Sequence, residues 1–185
     1  MPSPAASLAS LNNALRRFRR NRRGSAAVEF ALVAPVFFAL LFAIIETAIV
    51  FFAGQVLESV TQDSARMVQT GQVQAAAYDA ANFKKLVVCT RPLANLLFDC
   101  MGGVSVDVQS YPAGFTSVVI TDPIDASKNF TNNMQYNPGN AGDIVVVRAF
   151  YQWPLFVTGL GYNISNLSGS KRLLSATAAF RNEPF

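Results

Sequence analysis

The chain has 185 residues, enough for one ordinary domain and an extension, with 51% apolar and 14% charged side chains and a mean hydropathy of +0.28. That is greasy for a soluble protein and lean for one crossing a membrane many times, and the lack of any histidine removes the commonest general base and most zinc sites. The net charge of +4 and pI near 9.3 would ordinarily raise nucleic-acid binding, but the six arginines before Gly24 meet no acid there, and the rest of the chain is mildly acidic.

Residues 1–15 are rich in Ala, Ser, Asn and Leu and carry no strong structural signal. The basic block follows: Arg16, Arg17, Arg19, Arg20, Arg22 and Arg23. Beside an apolar run it fits the positive-inside rule, with the N-terminus cytoplasmic, better than it fits a nucleic acid. From Phe30 to Phe52 the only ionisable residue is Glu46. A helix of such a run, ending near Gly54, rises about 1.5 Å per residue and crosses a bilayer core of about 30 Å. A cleaved secretory signal fits poorly, because the run is too long and IVFFAGQV (49–56) is a poor peptidase site. A simple signal anchor explains the arginines and the length. It says nothing of Gly24 or of Glu29, a carboxylate whose insertion into lipid costs about 2.5–3.5 kcal/mol on insertion scales.

Gly24-Ser25-Ala26-Ala27-Val28-Glu29-Phe30 has a glycine, four residues, a glutamate and an aromatic at the head of the apolar run. This resembles the type IV prepilin signature, in which a membrane aspartyl peptidase cuts after the glycine. The resemblance implies removal of a basic leader (1–24) and a mature chain starting at Ser25. The new amine, with a reference pKa of about 7.7–8.0, would lie one helical turn from Glu29 on the same face. Spacing alone leaves open whether that carboxylate pairs within its own chain, pairs with a neighbouring subunit, or favours the helix N-terminal dipole.

A narrower resemblance comes from RRGSAAVEFALVAPVFFALLFAIIE: Arg22, Arg23 and Gly24, the Ala26–Leu32 core, Pro35 and Glu46 are similar to the start of TadE-like proteins, minor pseudopilins of tight-adherence (Tad/Flp) pili. SARMVQTGQ (64–72) resembles the helix end and glycine that follow, and AAFRNEPF (178–185) the family's ending. The chain is much longer than the major Flp pilin, which implies a minor subunit. Pro35 either permits local unwinding on assembly or is one of many tolerated membrane prolines. Glu46, about 20 residues into the helix, is expected at the far interface as a solvated end-of-span residue, the alternative being an intramembrane contact.

Beyond Gly54, Ala53, Val56, Val60, Ser64, Met67 and Gly71 keep helical spacing, so the helix is expected to continue as an amphipathic stalk to about Gly71. A second helix is expected over 75–87, stopped by Thr90-Arg91-Pro92. Cys89 falls at its end and Cys100 on the loop before the first strand. Outside the cytoplasm they are expected to form a disulfide. Val104, Val106 and Val108 alternate with Ser105, Asp107 and Gln109, a half-buried strand. FTSVVIT (115–121) reads as a second strand, IVVVRAFYQW (144–153) as the strongest, ended by Pro154, and RLLSATAAFRN (172–182) as a fourth. The stretch 122–143 is turn-rich and reads as a loop.

The expected fold is α+β and pilin-like: a transmembrane helix (25–54), a stalk and second helix (55–88), and an exported β-rich domain (89–185) with an antiparallel sheet. Asp122, Asp125 and Asp143 match no calcium loop and are explained by turn chemistry. Ser64, Lys84 and Lys85 have no base or oxyanion context. Asn129, Asn163 and Asn166 fit N-x-S/T, which matters only in a eukaryotic secretory route. No enzyme, cofactor or metal is expected. The resemblance implies a pseudopilin in the bacterial inner membrane, with its domain periplasmic or carried to the cell surface. Its partners would be the prepilin peptidase, other Tad pilus subunits and the assembly platform. The alternative is a single-span anchor carrying a periplasmic ligand-binding, sensory or adhesin domain.

Overall fold

A computed structural model describes residues 24–158 and 162–185. The chain falls into two compact units, divided after Ile44. Of the first, the described part belongs to one helix, α1 (Ser25–Gln69), which runs uninterrupted through Pro35. Its apolar side chains there, among them Phe30, Leu32, Val33, Phe37 and Leu40, are exposed. Among the described residues, one helix, α1, is long and apolar enough to cross a membrane.

The second unit is built on the other part of α1. Val50, Ala53, Val56, Leu57, Val60, Ser64, Ala65 and Val68 are buried, which is the expected stripe widened by its i+4 neighbours. Each buried Val or Leu contributes roughly 1.5–3 kcal/mol. The helix stops where predicted, because Gly71 takes a left-handed conformation at φ 76°. A Cβ at Gly71 would also collide with the ring of Phe185.

The stripe packs in one core with a three-stranded antiparallel sheet of β1 (Val104–Tyr111), β2 (Ile144–Pro154) and β3 (Lys171–Arg181), in the order β1-β2-β3. Val108, Val147 and Ala178 are register partners and share the face toward α1. The opposite face of β2 is covered as well. Phe150 packs with Leu167 and Leu173 against Ile124, Phe130 and Met134 of the long 112–143 segment. Burial on both faces is why β2 begins as an unbroken apolar run.

Two expected elements are corrected. FTSVVIT is no strand: Phe115–Ser117 forms a 3-10 turn, and Val119 and Ile120 are exposed. The place beside β1 is taken instead by 135–137, where the Val108 N–H donates to the Gln135 carbonyl at 2.9 Å and the Asn137 N–H to the Val108 carbonyl at 2.8 Å. The single helix expected over 75–87 is broken into Gln72–Ala75, Ala80–Phe83 and a π-helical turn, Lys84–Val88. Ala77 adopts φ 50°, and the Asp79 carboxylate accepts from the Asn82 N–H at 2.7 Å and starts a new helix.

Cys89 and Cys100 are disulfide-bonded with Cα atoms 5.7 Å apart. Cys100 heads a short helix, Cys100–Gly103, that runs straight into β1, where a loop was expected. The bond thus ties the end of the second helical segment to the first strand.

Candidate functional site

Gly24 is exposed, and a side chain there would meet nothing within 4 Å. Ser25 opens α1, and its Oγ donates to Glu29 Oε1 at 3.2 Å. The i, i+4 face read from the sequence is therefore occupied by these two residues. Phe30, next along the helix, is exposed. A glycine with no side chain, an exposed serine, a reachable carboxylate and an aromatic lie in one accessible stretch at the helix head. The six arginines of the basic block lie outside the described residues.

Glu46 departs from its expectation. Only 7% of it is exposed, and its Oε1 accepts from the Phe156 N–H at 2.5 Å. The Val157 N–H reaches both carboxylate oxygens, at 3.2 and 3.1 Å. The next residue, Thr47, shares a hydrogen bond between its hydroxyl and that of Tyr162. Nothing near Glu46 in the sequence hinted at a partner, since the two segments are 110 residues apart. A carboxylate beside an apolar run needs donors, and the N–H groups after a strand-ending proline are free to supply them.

The other acids singled out are structural. Asp122 and Asp125 accept backbone N–H groups two residues on, and Asp125 also accepts from Asn129. Asp143 accepts from the Ser110 hydroxyl and the Asn140 N–H. Among the described residues no group of three His, Cys, Asp or Glu side chains is placed to hold a metal. Ser64 is buried and donates to the Val60 carbonyl at 2.7 Å, a core position on the helix. Lys84 Nζ donates to the Met101 carbonyl; partial burial lowers its pKa, and Asp99 opposes that shift.

Reasoning from sequence missed a buried ion pair. Asp107, 1% exposed, sits opposite Arg148 in the β1–β2 register, with Arg148 Nη2 at 2.7 Å and Nε at 3.0 Å from Oδ2. Asp107 also takes the Gln135 N–H at 2.8 Å, and Arg148 Nη1 donates to the Thr121 carbonyl at 2.9 Å. The pair therefore ties the covering segment to the sheet at two points, Thr121 and Gln135. The directly opposed acid and base could have signalled it, had the register been known.

The resemblances at 64–72 and 178–185 meet in space. The Glu183 N–H donates to the Gln69 carbonyl at 2.9 Å, and Phe185 lies on Gly71, so 64–72 and 178–185 form one contact.

A helix long and apolar enough to cross a membrane, followed in the chain by a small α+β domain, is consistent with the class of single-pass, membrane-anchored proteins. Within that class, residues 24–66 match the family model for TadE-like protein, which marks this stretch as TadE-like and fits a protein of the Tad system. The family is pilus-associated and not one of enzymes. No curated protein and no solved structure gives a match.

Proposed function

We propose that this chain is a minor pseudopilin acting in assembly of a Tad-type pilus. A prepilin peptidase cuts between Gly24 and Ser25, the apolar part of α1 stays in the inner membrane, and the 45–185 unit faces the periplasm. The arginine block supports a cytoplasmic N-terminus, and the Cys89–Cys100 bond suits an oxidising compartment on the other side. Partners on this reading are the peptidase, other pilus subunits and the platform that assembles them; the role is structural rather than catalytic.

The observation that carries the reading is Glu29: a carboxylate at the head of an exposed apolar helix, inside the TadE-like stretch, one turn from Ser25 and within hydrogen-bond reach of it. Its present partner is a weak hydroxyl. Cleavage would set an ammonium at the same end of the helix, which would add the attraction of an opposite charge to the hydrogen bond. The same carboxylate is equally open to the amine of an adjoining subunit.

Glu29→Ala should therefore enter the membrane normally, since removing a carboxylate eases insertion, and yet lose piliation. Carbonate extraction of membranes reads the first outcome and electron microscopy of shed pili the second. Normal piliation by the variant would remove any role for this side chain.

A further inference from the structure

Around Glu46 the surface of the second unit is strongly apolar. Ile45, Ile49, Phe51 and Phe52 of α1 are exposed, although they belong to the unit that carries the folded domain. Helical side chains lean toward the helix N-terminus, so the Glu46 carboxylate lies at or before its own Cα. Phe52 is six residues further on, about 9 Å along the axis. If lipid covers the exposed apolar run as far as Phe52, the carboxylate and whatever binds it lie beneath the lipid surface.

What binds it is the turn that follows β2. Three successive amides there are all satisfied: Leu155 donates to the Ser170 carbonyl at 3.0 Å, and Phe156 and Val157 donate to Glu46. That is the condition irregular backbone must meet to approach hydrocarbon. Leu155 is buried in the core and fixes the turn, while the Phe156 side chain points outward, 85% exposed. Left in water, the ring forgoes the roughly 1.5–3 kcal/mol that its burial would contribute. Held at the depth of Glu46, it meets the zone where aromatic side chains anchor proteins to membranes.

We propose that the 155–158 turn is a second membrane contact: Phe156 enters the interfacial zone of the outward-facing leaflet beside α1, and Glu46 is the clamp that holds it there. Glu46 thus satisfies the backbone of a lipid-dipping turn, and the turn satisfies Glu46. This rests on the reading of α1 as a membrane span. Its consequence is that Phe156 must be released from lipid before the chain leaves the membrane for a fibre.

The test uses the full chain in vesicles of phosphatidylethanolamine and phosphatidylglycerol, in a Trp153→Phe background, with Phe156→Trp as reporter and Phe38→Trp as control. Trp at 156 should be quenched by lipids brominated near the top of the acyl chain and shielded from aqueous iodide. Adding Glu46→Ala should remove more than half of the lipid quenching. If Trp153→Phe disturbs the packing on Phe98 and Tyr151, the difference between Phe156→Trp and the unaltered chain gives the same reading. Iodide quenching at 156 with lipid quenching at 38 would overturn the inference and leave the span intact. Protection from both quenchers would mean that protein covers Phe156, which also overturns it. Absence of lipid quenching at 38 would instead defeat the membrane span, and the inference with it.

Discussion

Asp107→Ala should lower the unfolding free energy of the domain by about 3–5 kcal/mol, the range for breaking a buried ion pair from one side. The variant leaves the Arg148 guanidinium buried with the Thr121 carbonyl and the face of Phe150, 5.3 Å from its ring centre, as the partners that remain. It also strips the Gln135 N–H of its acceptor, an added penalty of about 1–3 kcal/mol that can be partly relieved by water. Replacing both partners, Asp107→Leu with Arg148→Met, should cost much less than either single change, because no charge is stranded. Equilibrium unfolding of the detergent-solubilised chain, followed by the fluorescence of its single tryptophan, Trp153, measures both. A loss under about 1 kcal/mol for Asp107→Ala would place the pair among solvent-screened ones. Hydrogen exchange adds a local signature: amides at 135–137, which cap the free edge of β1, should lose protection first.

Removing the disulfide should have the next largest effect. The bridged cysteines are 11 residues apart, and closing a loop of that size in the unfolded chain accounts for about 3 kcal/mol. Both sulfurs are buried, so the loss includes packing as well as chain entropy. The bridge encloses the helix Pro92–Leu97 and joins the π-helical turn to the short helix that leads into β1. Without it, these pieces depend on Phe83, Val87, Val88, Ala94, Leu97 and Phe98 to reach the core. The double change Cys89→Ala with Cys100→Ala should lower the denaturation midpoint, and dithiothreitol should lower that of the unaltered chain by a similar amount. Identical midpoints with and without reductant would show that the bond contributes nothing.

Elements with a one-dimensional signature were legible in the sequence. The stalk stripe from Ala53 to Gly71 and the continuous apolar run of β2 follow from periodicity, and Gly71 marked the helix end through the left-handed turn it makes. What failed depended on partners distant in the chain. FTSVVIT has strand composition, but the edge of β1 was already filled by 135–137. Asp107 alternated with valines as a solvent-facing residue would, yet the long segment after β1 folds over that face and buries it. Glu46 looked like a solvated end of the span because nothing nearby in sequence could pair with it. Its donors come from the turn after Pro154. At the helix head the reading was local, and Ser25 and Glu29 lie one turn apart within hydrogen-bond reach. The buried network around Asp107 and the clamp at Glu46 share a cause: a charged group kept in an apolar setting needs donors or acceptors that only tertiary folding brings.

A pseudopilin role requires that the glycine before Ser25 be a cut site. Intact mass spectrometry of the chain extracted from membranes of cells that hold the pilus system's own prepilin peptidase measures this directly. The predicted polypeptide begins at Ser25 and has lost all six arginines of the basic block, while cells without the peptidase keep them. A mature chain that still begins at Met1 in the presence of the peptidase, or one broken near Gly54, would contradict it.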